Sequence, residues 1–158
     1  TRYRSSAASD VYKRQTSNGA AYVILGSATL NGQLSEIARI IGDNQYDQFG
    51  DGVGMAGDLD DDGYADVSIG AVTADGNVGA AYLFYGPITA DLDASDAGAK
   101  FTGNTAGDGE FGRVIAGPGD INGDGELDMI IGAGADDGTG ASSSTDIGAL
   151  YIFGGGGL

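Results

Sequence analysis

The sequence predicts an all-β protein, and three observations carry that reading. Blocks of sequence recur in a fixed order, spaced by 60 to 69 residues. Each block is a short apolar run rich in Val, Ile, Phe and Tyr and bounded by Gly or Asp, which suits a strand and is too short for a typical helix. Asp-rich, Gly-containing stretches separate the runs, and these residues favour turns.

The elements follow in chain order. Gly19-Ala20-Ala21-Tyr22-Val23-Ile24-Leu25-Gly26 returns as Gly79-Ala80-Ala81-Tyr82-Leu83-Phe84-Tyr85-Gly86, and again as Gly148-Ala149-Leu150-Tyr151-Ile152-Phe153-Gly154-Gly155. Ala38-Arg39-Ile40-Ile41-Gly42 returns as Ala99-Lys100-Phe101-Thr102-Gly103, Phe49-Gly50 as Phe111-Gly112, and Asp58–Asp66 as Asp120–Asp128. Within one period, strands are expected near Val53–Gly57, Val67–Ala71, Val78–Tyr85 and Ala99–Thr102. Asp75-Gly76 signals a tight hairpin between the second and third. Four antiparallel strands in about 60 residues is the pattern of a β-propeller blade.

The chain is therefore read as a partial propeller of about two to two and a half blades. Residues 16–48 would supply the last two strands of one blade, 49–110 a complete blade, and 111–158 three strands of the next. The segment Gly134–Ile147, which lengthens the last spacing, reads as a polar surface loop.

Composition narrows the chemistry. The 158 residues include 31 Gly and no Cys, His or Trp. Without Cys there is no disulfide framework, and without His the commonest general base is missing. No Ser therefore has an imidazole partner, and Asp91 with Asp93 reads as a loop pair rather than a glycosidase pair. The chain is read as non-enzymatic. Its 7 basic and 23 acidic residues give a net charge of −16, which repels phosphate backbones and argues against a nucleic-acid partner. The apolar runs are too short for membrane insertion in this segment. Residues 1–15 stand apart: four of the seven basic residues lie there, and Ser5–Gln15 resembles a translated sequencing adaptor. They are set aside as a non-native, disordered scar.

The acidic loops carry the clearest chemistry. Asp58, Asp60, Asp62 and Asp66 occupy the first, third, fifth and ninth positions of one loop, and Asp120, Asn122, Asp124 and Asp128 those of the other. Calcium takes about six to eight oxygen ligands, and alternate short acids on a tight turn can converge on one. Gly63 and Gly125, at the sixth position, allow the turn. Tyr64 and Glu126, at the seventh, would contribute backbone carbonyls, and Asp66 and Asp128 would close the cage. Two calcium sites are expected. Magnesium suits these loops less, because it prefers fewer protein ligands. An EF-hand is excluded: its twelfth-position Glu is replaced by Ile69 and Ile131, and strand-like runs follow instead of helices.

Phe49-Gly50, Gly57-Asp58-Leu59-Asp60-Asp61-Asp62-Gly63 and Asp66-Val67-Ser68-Ile69-Gly70-Ala71 together resemble an FG-GAP repeat, and the corresponding residues from Phe111 to Ala133 resemble the next. The family's Pro is replaced by Val72 and Gly134. The resemblance, to the repeats of integrin α-subunit propellers and of bacterial surface proteins, implies a seven-bladed ring with structural calcium in the loops joining the first two strands of a blade. It implies that Phe49 and Phe111, like Tyr22, Tyr82 and Tyr151, pack between blades. It implies an extracellular or cell-surface adhesion-type module with a protein or glycan partner. The alternative is a non-catalytic propeller part of a secreted hydrolase or phospholipase-like enzyme.

Overall fold

The run Ala80-Ala81-Tyr82-Leu83-Phe84 contains no charged residue, and all five residues are buried. A strand apolar on both faces needs a neighbour on each side, and this one lies in the middle of three sheets. The computed structural model describes residues 18–24, 36–104, 109–136 and 148–155. Residues 1–15 and most of the loop 134–147 lie outside them.

The described residues form strands β1 (Ala20–Ile24), β2 (Glu36–Ile41), β3 (Phe49–Gly57), β4 (Asp66–Ala71), β5 (Ala80–Phe84), β6 (Leu92–Asp93), β7 (Ala99–Thr102), β8 (Phe111–Gly119), β9 (Asp128–Ala133) and β10 (Ala149–Phe153). The central sheet has the order β3-β4-β5-β7, flanked by a β1-β2-β6 sheet and a β10-β9-β8 sheet. The central sheet is antiparallel throughout, as is the third. This is the all-β, partial-propeller architecture that the repeat pattern predicts.

Two details depart from the sequence reading. The first strand of the period begins at Phe49 rather than near Val53. Asp75-Gly76 does not close a tight hairpin: β4 ends at Ala71 and β5 starts at Ala80. The two residues lie in a helical turn, Ala74–Asn77, where Asp75, Gly76 and Asn77 all have positive φ. The left-handed preference behind the hairpin signal is thus satisfied inside a longer connection.

One pairing had no sequence signal. The connection between β5 and β7 reaches back to the first sheet, where β6 pairs in parallel with β2 through Ile40–Leu92 and Ile41–Asp93. Asp91 fixes it there, accepting from the Arg39 backbone N–H at 3.0 Å and from its guanidinium at 3.5 Å. Asp93 caps the 3₁₀ turn Ala94–Asp96, accepting from the Ser95 N–H at 3.0 Å. The two acids therefore hold a connection in place, Asp91 just before β6 and Asp93 at its end rather than both in a loop.

The core occupies the two inter-sheet spaces. One cluster joins Ile40, Phe49, Ile69, Tyr82 and Phe84, with Ala21 and Val23 packed against it. The other joins Leu83, Phe111, Ile115, Met129 and Ile131, with Tyr151 and Phe153 against it. Phe49 meets Tyr82 at 5.5 Å and Phe84 at 6.4 Å, and Phe111 meets Tyr151 at 5.1 Å and Phe153 at 6.3 Å, all near edge-to-face. Such pairs add about 0.5–1.5 kcal/mol beyond their burial. Near β8 the sheets touch through glycine. A Cβ on Gly70 would stand 1.9 Å from the Gly112 carbonyl oxygen, so no side chain fits.

Candidate metal centre

Each acidic loop joins the first strand of a sheet to the second: 58–65 links β3 to β4, and 120–127 links β8 to β9. Both fold by the same hydrogen bonds, made between side-chain oxygens and their own backbone. The first-position acid accepts from the fifth and sixth N–H groups: Asp58 from Asp62 at 3.0 Å and Gly63 at 2.9 Å, and Asp120 from Asp124 at 3.1 Å and Gly125 at 2.9 Å. The third position accepts from the fifth: Asp60 from Asp62 at 3.3 Å, and Asn122 from Asp124 at 2.8 Å. The fifth accepts from the seventh: Asp62 from Tyr64 at 2.8 Å, and Asp124 from Glu126 at 2.9 Å. Short acids at alternate positions reach these N–H groups because each folds back on the turn ahead of it.

The result is a concentration of negative charge. One carboxylate oxygen from each of Asp58, Asp60 and Asp62 lies within 4.8 Å of the others. Desolvation within the loop, followed by repulsion from Asp62, raises the Asp60 ionisation above the ordinary carboxylate value. The second loop has an amide at this position. The Asn122 Nδ2 donates to Asp124 Oδ2 at 2.8 Å, and the Glu126 N–H and this amide together lower the Asp124 ionisation. A hard cation would replace the repulsion in the first loop with attraction. The donor set is all oxygen, which suits calcium or magnesium better than a thiophilic metal.

Gly63 and Gly125 have φ of 91° and 95°, so the sixth position needs the left-handed conformation that glycine adopts without penalty. A Cβ on either would meet nothing within 4 Å, so conformation rather than space selects glycine here.

The ninth position behaves differently from the rest. Asp66 and Asp128 are buried at the start of β4 and β9. Asp66 accepts from the Leu59 N–H at 2.7 Å and from the Gly86 N–H at 2.9 Å. Asp128 accepts from Ile121 at 2.6 Å and from Gly155 at 3.2 Å. Each carboxylate thus ties the loop's second residue to the exit of the third strand of its sheet. Each oxygen keeps a lone pair beyond the one used, so the tie leaves capacity for a cation. Tyr64 and Glu126 direct exposed side chains outward, and only their backbone bears on the loop.

The donors Gly86 and Gly155 were not legible as partners, although a glycine closes each repeated strand block and could have flagged the position. A buried carboxylate was also missed. Asp136, after β9, accepts a 2.5 Å hydrogen bond from the Tyr151 hydroxyl. Burial and this bond raise the Tyr151 ionisation above that of a free phenol.

No family model matches the chain. It is 35% identical over 115 residues, 70% of its length, to integrin alpha pat-2 of Caenorhabditis briggsae, and likewise to that of Caenorhabditis elegans. It is 37% identical over 92 residues, 56% of its length, to integrin alpha-M of Mus musculus. The chain is an integrin α-like FG-GAP repeat segment. These integrin α-like repeats span 8–9% of the length of the relatives they match. Among the described residues, no helix is long and apolar enough to cross a membrane.

Proposed function

We propose that the chain is a calcium-stabilised run of β-propeller blades from an extracellular or cell-surface protein, acting as a non-catalytic adhesion-type module. The observation that carries this is the repetition: one hydrogen-bonded acidic loop recurs between the first two strands of two successive sheets, in an integrin α-like chain. We read the blades as residues 16–48, 49–110 and 111–158, with the short strand β6 of the second span crossing to pair in the first sheet. Asp58, Asp60, Asp62 and Asp66, with the Tyr64 carbonyl, hold one calcium ion. Asp120, Asn122, Asp124 and Asp128, with the Glu126 carbonyl, hold the other. Extracellular calcium modules bind with dissociation constants near 10⁻⁴–10⁻³ M, and sites of that affinity would fill outside the cytosol rather than within it. The relatives' name as integrin α chains supports a protein or glycan ligand at the propeller surface.

The test is thermal unfolding of the chain in millimolar calcium, in magnesium and in chelator. Calcium at about ten times its dissociation constant adds about 1.4 kcal/mol per site. A midpoint that rises with calcium and not with magnesium is expected. A folded chain whose midpoint ignores calcium overturns the ion assignment.

A further inference from the structure

The two acidic loops share a fold but differ in chemistry at the third position. In the first loop, positions one, three, five and nine are all Asp; in the second, the third is Asn122. That amide changes how the loop is held. Asn122 Nδ2 donates to Asp124 Oδ2 at 2.8 Å, and the Gly123 N–H donates to Asp120 Oδ1 at 2.6 Å. The first loop has a carboxylate, Asp60, where the second has its donor amide. The second loop thus meets part of its own negative charge with its own donors, and one Asp124 oxygen is already engaged. The first holds four carboxylates, and one oxygen from each of Asp58, Asp60 and Asp62 lies within 4.8 Å of the others.

The loops also differ in what stands beside them. A Cβ on Gly154 would lie 3.5 Å from Asp128 Oδ1 and 3.8 Å from Asn122 Nδ2, so this position faces the second loop directly. Its repeat equivalent beside the first loop is Tyr85. The Tyr85 ring packs closely on Gly98, where a Cβ would stand 2.2 Å from it. Burial, and then the Asp60 and Asp66 charges, raise the Tyr85 ionisation, so its phenol stands in the field of the first loop. An aromatic wall keeps water from one side of that loop and strengthens charge interactions there. Glycine gives the second loop no such wall.

Ligand charge count and site rigidity set calcium affinity over orders of magnitude. On the calcium assignment of both loops, we propose that the two sites are unequal and fill in order, with Asn122 as the residue that weakens the second. The first ion is a lasting staple of the central sheet. The second is reversible: it leaves first as calcium falls, and the amide and the Gly123 N–H hold the emptied loop in shape. The third sheet is then the part of the chain that responds to changing calcium.

Isothermal titration calorimetry of the 158-residue chain, stripped with chelator, should resolve two calcium-binding events that differ in dissociation constant by about tenfold or more. Terbium tells the loops apart, because it takes oxygen ligands and its emission is excited through a nearby tyrosine. Tyr64 and Tyr85 flank the first loop, while Glu126 and Gly154 hold the same places at the second. Emission should therefore saturate with the first equivalent of terbium. Asn122→Asp should draw the two calcium constants together. Asp60→Asn combined with Asn122→Asp moves the amide to the first loop at constant net charge, and should delay the emission to the second equivalent. Both positions are exposed and the exchanges are isosteric, and the unaltered chain gives the filling order without any variant. Two equal sites, or emission that arrives only with the second equivalent in the unaltered chain, overturn the proposal and leave the calcium assignment standing. So do unequal constants that Asn122→Asp leaves unchanged. A chain that binds neither ion overturns the calcium assignment, and the order of filling with it.

Discussion

Asp66 and Gly86 stand twenty residues apart in sequence and are joined by a 2.9 Å hydrogen bond, the Gly86 N–H donating to Asp66 Oδ1. The other oxygen of the same buried carboxylate accepts from Leu59. The ninth loop position therefore works in the fold whether or not a cation is present. Asp66→Asn replaces one acceptor with a donor and strands a buried N–H, at a cost of about 1–3 kcal/mol. The loss should appear in denaturant unfolding in chelator as well as in calcium. Equal stability in chelator would show that the tie contributes nothing.

Asp60 gives the opposite signature. It is exposed, accepts one long hydrogen bond of 3.3 Å, and carries a raised ionisation from its crowded loop. Asp60→Asn should leave chelator stability unchanged or slightly higher, and should diminish the calcium-induced rise of the melting midpoint. A full calcium response in this variant would remove Asp60 from the ligand set.

Asp61 has φ of 57°, and its counterpart Gly123 has φ of 80°. A left-handed backbone is costly for a residue with a Cβ and free for glycine, while glycine adds disorder to the unfolded chain. The balance predicts that Asp61→Gly raises chelator stability by a few tenths to about 1 kcal/mol. The removed charge acts in the same direction. Chemical denaturation of the two proteins side by side decides it.

Two core substitutions should weaken the packing of the central and third sheets by different means. Phe111→Ala empties a fully buried aromatic site and should cost about 3–5 kcal/mol. Gly70→Ala adds a methyl group against the Gly112 carbonyl and forces backbone apart, at about 1–3 kcal/mol. Melting curves of both variants, at fixed calcium, give the comparison. A neutral Gly70→Ala would mean that the sheets do not approach so closely.

Tyr151 ties β10 to the buried Asp136, and its ionisation is raised by burial and by that bond. The neutral phenol is the form that the fold favours. Its contribution is intact below about pH 10, where a free tyrosine begins to ionise, and is lost as the pH climbs through the raised folded value. Tyr151→Phe should cost about 1.5–3 kcal/mol at neutral pH, the worth of a hydrogen bond to a charged group. It should also flatten part of the alkaline loss of stability. An unchanged alkaline limb in the variant would assign that loss to other tyrosines.

The sequence alone determined the repeat, the strand-rich class and the shape of the acidic loops. These are local properties. Nine contiguous residues contain the donors, the acceptors and the glycine of each loop, so spacing suffices to read them. Tertiary structure decided where each loop is anchored, because the Gly86 and Gly155 donors reach Asp66 and Asp128 from 20 and 27 residues away. It decided that Asp75-Gly76 turns within a longer connection, and that β6 returns to the first sheet through Asp91 and Arg39. It also decided which face of each repeated strand is covered. Tyr22 and Tyr82 occupy equivalent positions in equivalent strands, and only the presence of a neighbouring sheet makes one exposed and the other buried.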